Sequence, residues 1–214
     1  MKKTILLVSA LFIGAITAQA QEKSFPVTFI NLESGINLSQ FDFSDTETTA
    51  FENGSYSPAQ HQALSLGFNL KDGLSFVLGA AYDKHELIGK SLDISNTHLS
   101  YSLNYVSARI GLEYDLPLRK NLSLLVSGGL AYNYLLSGFQ NMGAATYDLS
   151  ATDFEENSYT YNFGAALLYQ VNDAAGVYLK YDWSNTLDMQ ESTTEAYDLS
   201  TFILSAGIRF NLTN

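Results

Sequence analysis

The sequence predicts an all-β fold, an eight-stranded antiparallel transmembrane β-barrel. Three observations predict it. Eight segments alternate large apolar residues with small or polar ones at a period of two. The apolar faces of those segments carry no charge. The connections between them are alternately long and short. Composition agrees: charged residues make up 15% of the 214, well under the roughly 25% of an ordinary soluble domain. The 14 Tyr and 13 Phe argue against disorder. Lys+Arg 11 against Asp+Glu 22 gives a net charge of −11, which argues against a nucleic-acid binder driven by phosphate contacts. The chain has no Cys, so disulfides, thiolate metal sites, Cys nucleophiles and a lipoprotein anchor are excluded.

The first element is an address. Lys2 and Lys3 form a positive start, Thr4 to Ile16 is an apolar run, and Ala18-Gln19-Ala20 supplies small residues for cleavage after Ala20. Residues 1–20 are therefore expected to be a signal peptide and 21–214 the barrel domain. Loss of Lys2 and Lys3 takes the net charge from −11 to −13. No later run reaches the roughly eighteen apolar residues of a transmembrane helix.

The strands follow in order. The first sets Ile30, Leu32, Ile36 and Leu38 against Asn31, Glu33, Gly35 and Asn37, with Ser34 on the apolar side. The second sets Leu64, Leu66, Phe68 and Leu70 against Ser65, Gly67 and Asn69. The third sets Leu74, Phe76, Leu78, Ala80 and Tyr82 against Ser75, Val77, Gly79 and Ala81. The fourth sets Val106, Ala108, Ile110, Leu112 and Tyr114 against Ser107, Arg109, Gly111 and Glu113. The fifth runs from Leu122 to Tyr134 with Ser123, Leu125, Ser127, Gly129, Ala131 and Asn133 opposite. The sixth runs from Tyr159 to Val171 with Thr160, Asn162, Gly164, Ala166, Leu168 and Gln170 opposite. The seventh sets Val177, Leu179, Tyr181 and Trp183 against Tyr178, Lys180 and Asp182. The eighth sets Phe202, Leu204, Ala206, Ile208 and Phe210 against Ile203, Ser205, Gly207 and Arg209.

The composition of the mixed face decides which side is inside. A soluble barrel would wet that face and fill it with Lys, Glu and Asp. Here it is mostly Ser, Gly, Ala, Asn and Thr, which suit the cramped interior of a narrow barrel. The apolar face is large and aromatic, as a lipid-facing band requires. In hydrocarbon an open sheet edge leaves backbone N–H and C=O groups unpaired, so the sheet must close. The mixed faces carry six charges: Glu33, Arg109, Glu113, Lys180, Asp182 and Arg209. They are expected to form an interior charge network in which three positive and three negative groups pair. The main rival is a soluble lipocalin-like carrier with its apolar face around a ligand.

The connections test the reading independently. Lys71-Asp72-Gly73, Asp115 to Asn121 and Asn172 to Ala175 are short, and those near 39–63, 83–105, 135–158 and 184–201 are long. A barrel with both ends of its chain in the periplasm puts its odd-numbered connections outside, and these are the long ones. One stretch breaks phase. Leu99, Tyr101, Leu103 and Tyr105 are apolar at odd positions, whereas Val106 onward is apolar at even ones. Either a bulge flips the phase near Tyr105–Val106 or 97–104 extends above the membrane, and the second is preferred.

On these residues the chain resembles the small outer-membrane β-barrel family, with porin-like and opacity-protein-like eight-stranded members. The resemblance covers about 25–214. It rests on the signal peptide and on Leu103-Asn104-Tyr105-Val106 leading into Gly111-Leu112-Glu113-Tyr114. It also rests on the turn Leu116-Pro117-Leu118-Arg119-Lys120-Asn121-Leu122 and the closing Ala206-Gly207-Ile208-Arg209-Phe210. The family ends on its terminal aromatic, which the assembly machinery reads; here Asn211-Leu212-Thr213-Asn214 follow Phe210. The resemblance implies a cell outer-membrane location, with outer-membrane lipid and the assembly machinery as partners, and it brings no catalytic residue.

Chemistry is sparse. Eight strands leave an interior just wide enough for side chains, so a diffusion pore is not expected. Fifteen of the 22 acids fall in the long connections. They are Asp42, Asp45, Glu47 and Glu52; Asp83, Glu86 and Asp93; Asp148, Asp153, Glu155 and Glu156; and Asp188, Glu191, Glu195 and Asp198. They read as a solvated repulsive surface, or as divalent-cation capture that bridges to anionic lipopolysaccharide. His98-x-Ser100 admits a lipid-modifying enzyme. Glu113, however, lies fifteen residues from His98, roughly 50 Å along an extended strand, and cannot complete a triad; that leaves Asp93 or Glu86. His61, His85 and His98 are placed near the outer rim, where a surface metal site is an alternative. No Gly-rich phosphate loop, HExxH or Walker pattern occurs. The expectation is a monomeric, non-enzymatic envelope protein without cofactor or metal. Its role is integrity or surface binding of a ligand through acidic loops. A narrow ion channel and, third, a lipid-modifying enzyme are the alternatives.

Overall fold

The computed structural model describes residues 27–43, 51–91, 98–149, 157–187 and 197–212. The expected signal peptide, residues 1–20, lies outside them. The strands are β1 (Val27–Phe43), β2 (Phe51–Lys71), β3 (Leu74–Ser91), β4 (His98–Arg119) and β5 (Leu122–Met142), then β6 (Ala145–Asp148), β7 (Asn157–Asn172), β8 (Ala175–Thr186) and β9 (Tyr197–Asn211). They form one sheet in the order β4-β3-β2-β1-β9-β8-β7-β5-β6, and the pairing of β4 with β5 closes it. The closed wall is eight antiparallel strands. The short β6 lies outside the ring and pairs with the outer end of β5 through Ala145–Met142 and Asp148–Phe139.

The short connections are tight. Asp72 and Gly73 both have positive φ, 45° and 83°, which matches the type I′ turn that follows the twist of a hairpin. A Cβ on Gly73 would lie 2.9 Å from the carbonyl oxygen of Asp115. After β7, the Asn172 carboxamide oxygen accepts the N–H groups of Ala174 and Ala175 at 2.9 and 2.8 Å. At the other end the strands run well beyond the apolar band. The long connections expected at 39–63 and 83–105 are therefore mostly strand: β2 begins at Phe51, β3 ends at Ser91 and β4 begins at His98.

Alternation along each strand separates two environments. Leu204 is 49% exposed, and Ser205 beside it is 2% exposed. Leu112 and Glu113, and Ile208 and Arg209, divide in the same way. Leu32, Ile36, Ile110, Leu130, Phe163, Leu167 and Leu179 are exposed on the outside. Leu66 is nearly covered, between Ile30 and Leu78 in the register of that face. Tyr132 and Tyr159, and Trp183 against Tyr161 and Phe163, form ring contacts along β5, β7 and β8.

The lumen is stratified. At the periplasmic end Leu125, Ala166, Leu168 and Tyr178 form a buried apolar cluster. At the outer end Leu87, Leu103, Tyr105, Leu135 and Leu199 form another, joined by Leu149 from just beyond β6. The extension expected at 97–104 is present as strand, since β4 begins at His98. The strand does run on, but Leu99, Leu103 and Tyr105 stay in phase with Arg109 and point inward, because the mouth is closed by apolar packing. The irregularity sits on the partner strand. Asn104 pairs with Ser137 and Tyr105 with Leu135, so Leu136 is an extra residue on β5.

Candidate functional site

Between the two apolar clusters the inward positions of the wall bring charges together. Glu33 on β1, His61 on β2, Asp83 on β3 and Arg109 on β4 are successive neighbours around the barrel. His61 has no exposed surface. Its Nε2 is 3.1 Å from Glu33 Oε1 and its Nδ1 is 2.6 Å from Asp83 Oδ1. Arg109 donates to Asp83 Oδ2 at 2.7 Å, and Ser107 donates to the same oxygen at 3.4 Å. Glu33 also accepts from Ser205 at 2.7 Å and from Tyr178 at 3.2 Å, with Lys180 Nζ at 3.8 Å. Lys180 reaches Asp182 Oδ2 at 2.8 Å.

A second group spans the lumen. Arg209 on β9 donates to Glu113 on β4 at 2.7 Å and, through Nε, to Asn31 at 2.9 Å. Three strands separate β9 from β4 in either direction round the ring, so this ion pair is a strut across the diameter. The guanidinium also lies 3.9 Å over the Phe29 ring, a cation–π contact on the inner wall.

The six sequence-predicted charges fall into these two groups: Glu33, Arg109, Lys180 and Asp182 in the first, Glu113 and Arg209 in the second. Three residues join them that the sequence reading put elsewhere. Asp83, assigned to an outer loop, is 4% exposed and lies within β3. His61 and His85, assigned to the outer rim, are buried in the lumen. Asp83 makes a fourth carboxylate against three Lys and Arg cations. A His61 ring that carries both protons donates to both flanking carboxylates and restores the balance of charge. The signal was available: His61, Ala63, Ser65 and Gly67 share one parity, as do Asp83, Ala81 and Gly79.

His85 Nδ1 lies 2.6 Å from Ser39 Oγ, and that hydroxyl lies 3.3 Å from Thr201. Both residues of this Ser–His pair are buried in the lumen. Ser100 accepts from Asn141 Nδ2 at 3.3 Å on the neighbouring strand. The His98 side chain lies outside the described residues, as do Asp45, Glu47, Asp93, Asp153, Glu155, Glu156, Asp188, Glu191 and Glu195 and the side chains of Asp42, Glu52 and Asp198. Glu86 is on β3, beside Lys84, and Asp148 is exposed on β6. Among the described residues no group of three or more His, Cys, Asp or Glu is placed to hold a metal ion.

Comparison with known proteins agrees with the architecture. The family model of the outer membrane protein beta-barrel domain matches residues 8–210. No curated protein matches. Among solved structures, Neisserial surface protein A superposes with a TM-score of 0.52 at 13% identity, over 89% of this chain and 100% of that one. The outer membrane protein OprG of Pseudomonas aeruginosa gives 0.55 at 10% identity, over 88% and 97%. The outer membrane protease OmpT of Escherichia coli gives 0.50 at 11% identity, over 90% and 99%. Likeness at such identities concerns the fold alone. The family match extends over nearly all of the sequence, and the chain belongs to the outer-membrane β-barrel family, with its apolar face in the lipid of the outer membrane.

Proposed function

We propose that this protein is a closed, non-enzymatic barrel that serves envelope integrity or surface binding through its outer end, and not a conduit. The observation that carries the proposal is the strut from Arg209 to Glu113 across the lumen, with a buried apolar cluster beside it and another at the outer end. An ion entering from the outer side meets apolar side chains first, and one from the periplasmic side meets the Arg209–Glu113 pair beside the Leu125 cluster. Pairing of this kind suits a structural role: a buried charge without its partner is costly, and a complete network rigidifies the wall. The Ser39–His85 pair is buried, which argues against hydrolysis inside the barrel. The outer strand extensions and acidic connections are the surface on offer to a ligand. The assembly machinery that inserts such barrels, a cleaved signal peptide and a monomeric state complete the reading.

Planar-bilayer recording of the purified, folded protein tests it. The expected trace is silent at moderate voltage. Steady single-channel steps would overturn the closed-barrel reading in favour of the narrow channel.

A further inference from the structure

Two hairpins meet at the periplasmic border. The Asp115 N–H donates to the Gly73 carbonyl at 2.9 Å, which holds the β4–β5 turn beside the β2–β3 turn. Their cations are Lys71, Arg119 and Lys120, all exposed. Lys71 is matched by Asp72 at 3.7 Å. Arg119 and Lys120 form no ion pair among the described residues. The register puts them at the edge of the lipid-facing surface. Pro117 pairs with Ser123 and Arg119 with Leu122, so Leu118 is an extra residue on β4 and Arg119 joins the row of Leu122 and Tyr169. Paired residues share a face of the sheet, and this is the apolar face. Leu116, Leu118, Tyr114 and Tyr169 are exposed around it. The β7–β9 side of the border differs: residues 170–175 and 210–212 hold no Lys or Arg, and Asp173 is their one charge.

We infer that the β4–β5 hairpin is a binding site for the headgroup of an anionic phospholipid in the periplasmic leaflet. The match is one of charge and of depth together. Arg119 offers a planar fork to a phosphate diester and Lys120 a mobile ammonium. Leu116 and Leu118 lie where the acyl chains begin, and tyrosine rings favour the level at which hydrocarbon gives way to headgroups. A soluble acidic partner would meet the two cations and leave the exposed leucines without a role. A zwitterionic lipid carries its own cation and gains less. Near a membrane surface each Lys or Arg favours anionic lipid by roughly fivefold. The lipid annulus is therefore uneven: anionic headgroups collect at the β4–β5 sector and not along β7–β9.

Quenching by brominated lipids at chosen positions tests it. In a Trp183→Phe background, Tyr169→Trp puts a single reporter in the row of Arg119, and Phe210→Trp puts one in the cation-free sector. Gel migration before and after boiling establishes that each variant is folded. In phosphatidylcholine vesicles, a small share of brominated phosphatidylglycerol should quench the reporter at 169 more than the same share of brominated phosphatidylcholine does. The excess should match a local enrichment of roughly fivefold or more. Arg119→Gln combined with Lys120→Gln should abolish it, and the reporter at 210 should show none. Equal quenching at 169 by the two lipids overturns the inference, as does an excess that survives the double substitution or appears equally at 210. Loss of the excess on adding inorganic phosphate at constant ionic strength overturns it in favour of a free-phosphate site. A leaky lumen would leave these results unchanged, so quenching and bilayer recording fail independently.

Discussion

The outer and inner faces of the barrel are made by the same strands, one residue apart, yet they obey opposite rules. Outside, Leu112, Ile110 and Leu204 are exposed, and among the described residues the charges of the apolar band are absent from this face. Inside, Glu113, Arg109 and Ser205 occupy the next positions, and the charges of the two groups there have partners within 3.8 Å. A soluble barrel reverses this order. The difference teaches that the solvent, not the strand, sets which side chains an alternating pattern turns outward. A charge on the lipid face has nothing to pair with, whereas one in the lumen meets its partner across a few ångströms. The inner face is itself divided, with an apolar cluster at the outer end and, at the periplasmic end, a second one beside the Arg209–Glu113 pair.

Breaking the inner face should have the largest effect. Arg209→Ala leaves Glu113 buried without its cation and removes the strut across the lumen; the expected loss is about 3–5 kcal/mol of stability. The urea midpoint for unfolding from lipid vesicles measures it, and a loss under about 1 kcal/mol would contradict the partnership. Second comes the outer face. Leu204→Arg places an unpaired charge in the apolar band and should cost roughly 2–4 kcal/mol by the same measurement. Substitution of the neighbouring Ser205 by Ala should be milder, since it removes one hydroxyl from Glu33 and adds no charge.

Third is Gly164→Ala, which adds one methyl at a place Asp182 already fills. Overpacking of this kind should cost about 1–3 kcal/mol. It sharpens the comparison because glycines on the outer face meet no such obstacle from a charge. The smallest effect is expected at the periplasmic turn, where the Lys71–Asp72 pair is 3.7 Å apart and both side chains are more than four-fifths exposed. Lys71→Ala should leave the midpoint unmoved, because an ion pair in water adds little.

The part of this arrangement that lies within the bilayer was legible in the sequence, because there one face must be apolar and the other need not be. Beyond the bilayer both faces meet water or capped lumen, and the contrast that reveals a strand fades. The outer half of β2 shows why: Gln60 and Gln62 face outward while Ala59 and His61 face inward, so hydropathy no longer reports the alternation. His61 and Asp83 were lost to loops for that reason. Leu103 and Tyr105 misled in the opposite sense: apolar residues facing the lumen imitate a change of phase when they serve as a cap. The extra residue at Leu136 had no signature, since a bulge is fixed by the partner strand rather than by its own composition. Six of the lumen charges could be assigned from parity alone. Their division into a chain around the wall and a strut across it depends on the closed ring, which no local pattern encodes.

The orientation on which all of this rests can be read from the single Trp of the chain. Trp183 lies on the apolar face of β8, stacked with Phe163 and donating its indole N–H to Ser200 at 3.3 Å. In vesicles made with bromine-labelled acyl chains its fluorescence should be strongly quenched, and dissolved iodide should have little effect. Emission indifferent to the bromolipid and readily quenched by iodide would mean that this face does not meet hydrocarbon, and the account would be wrong.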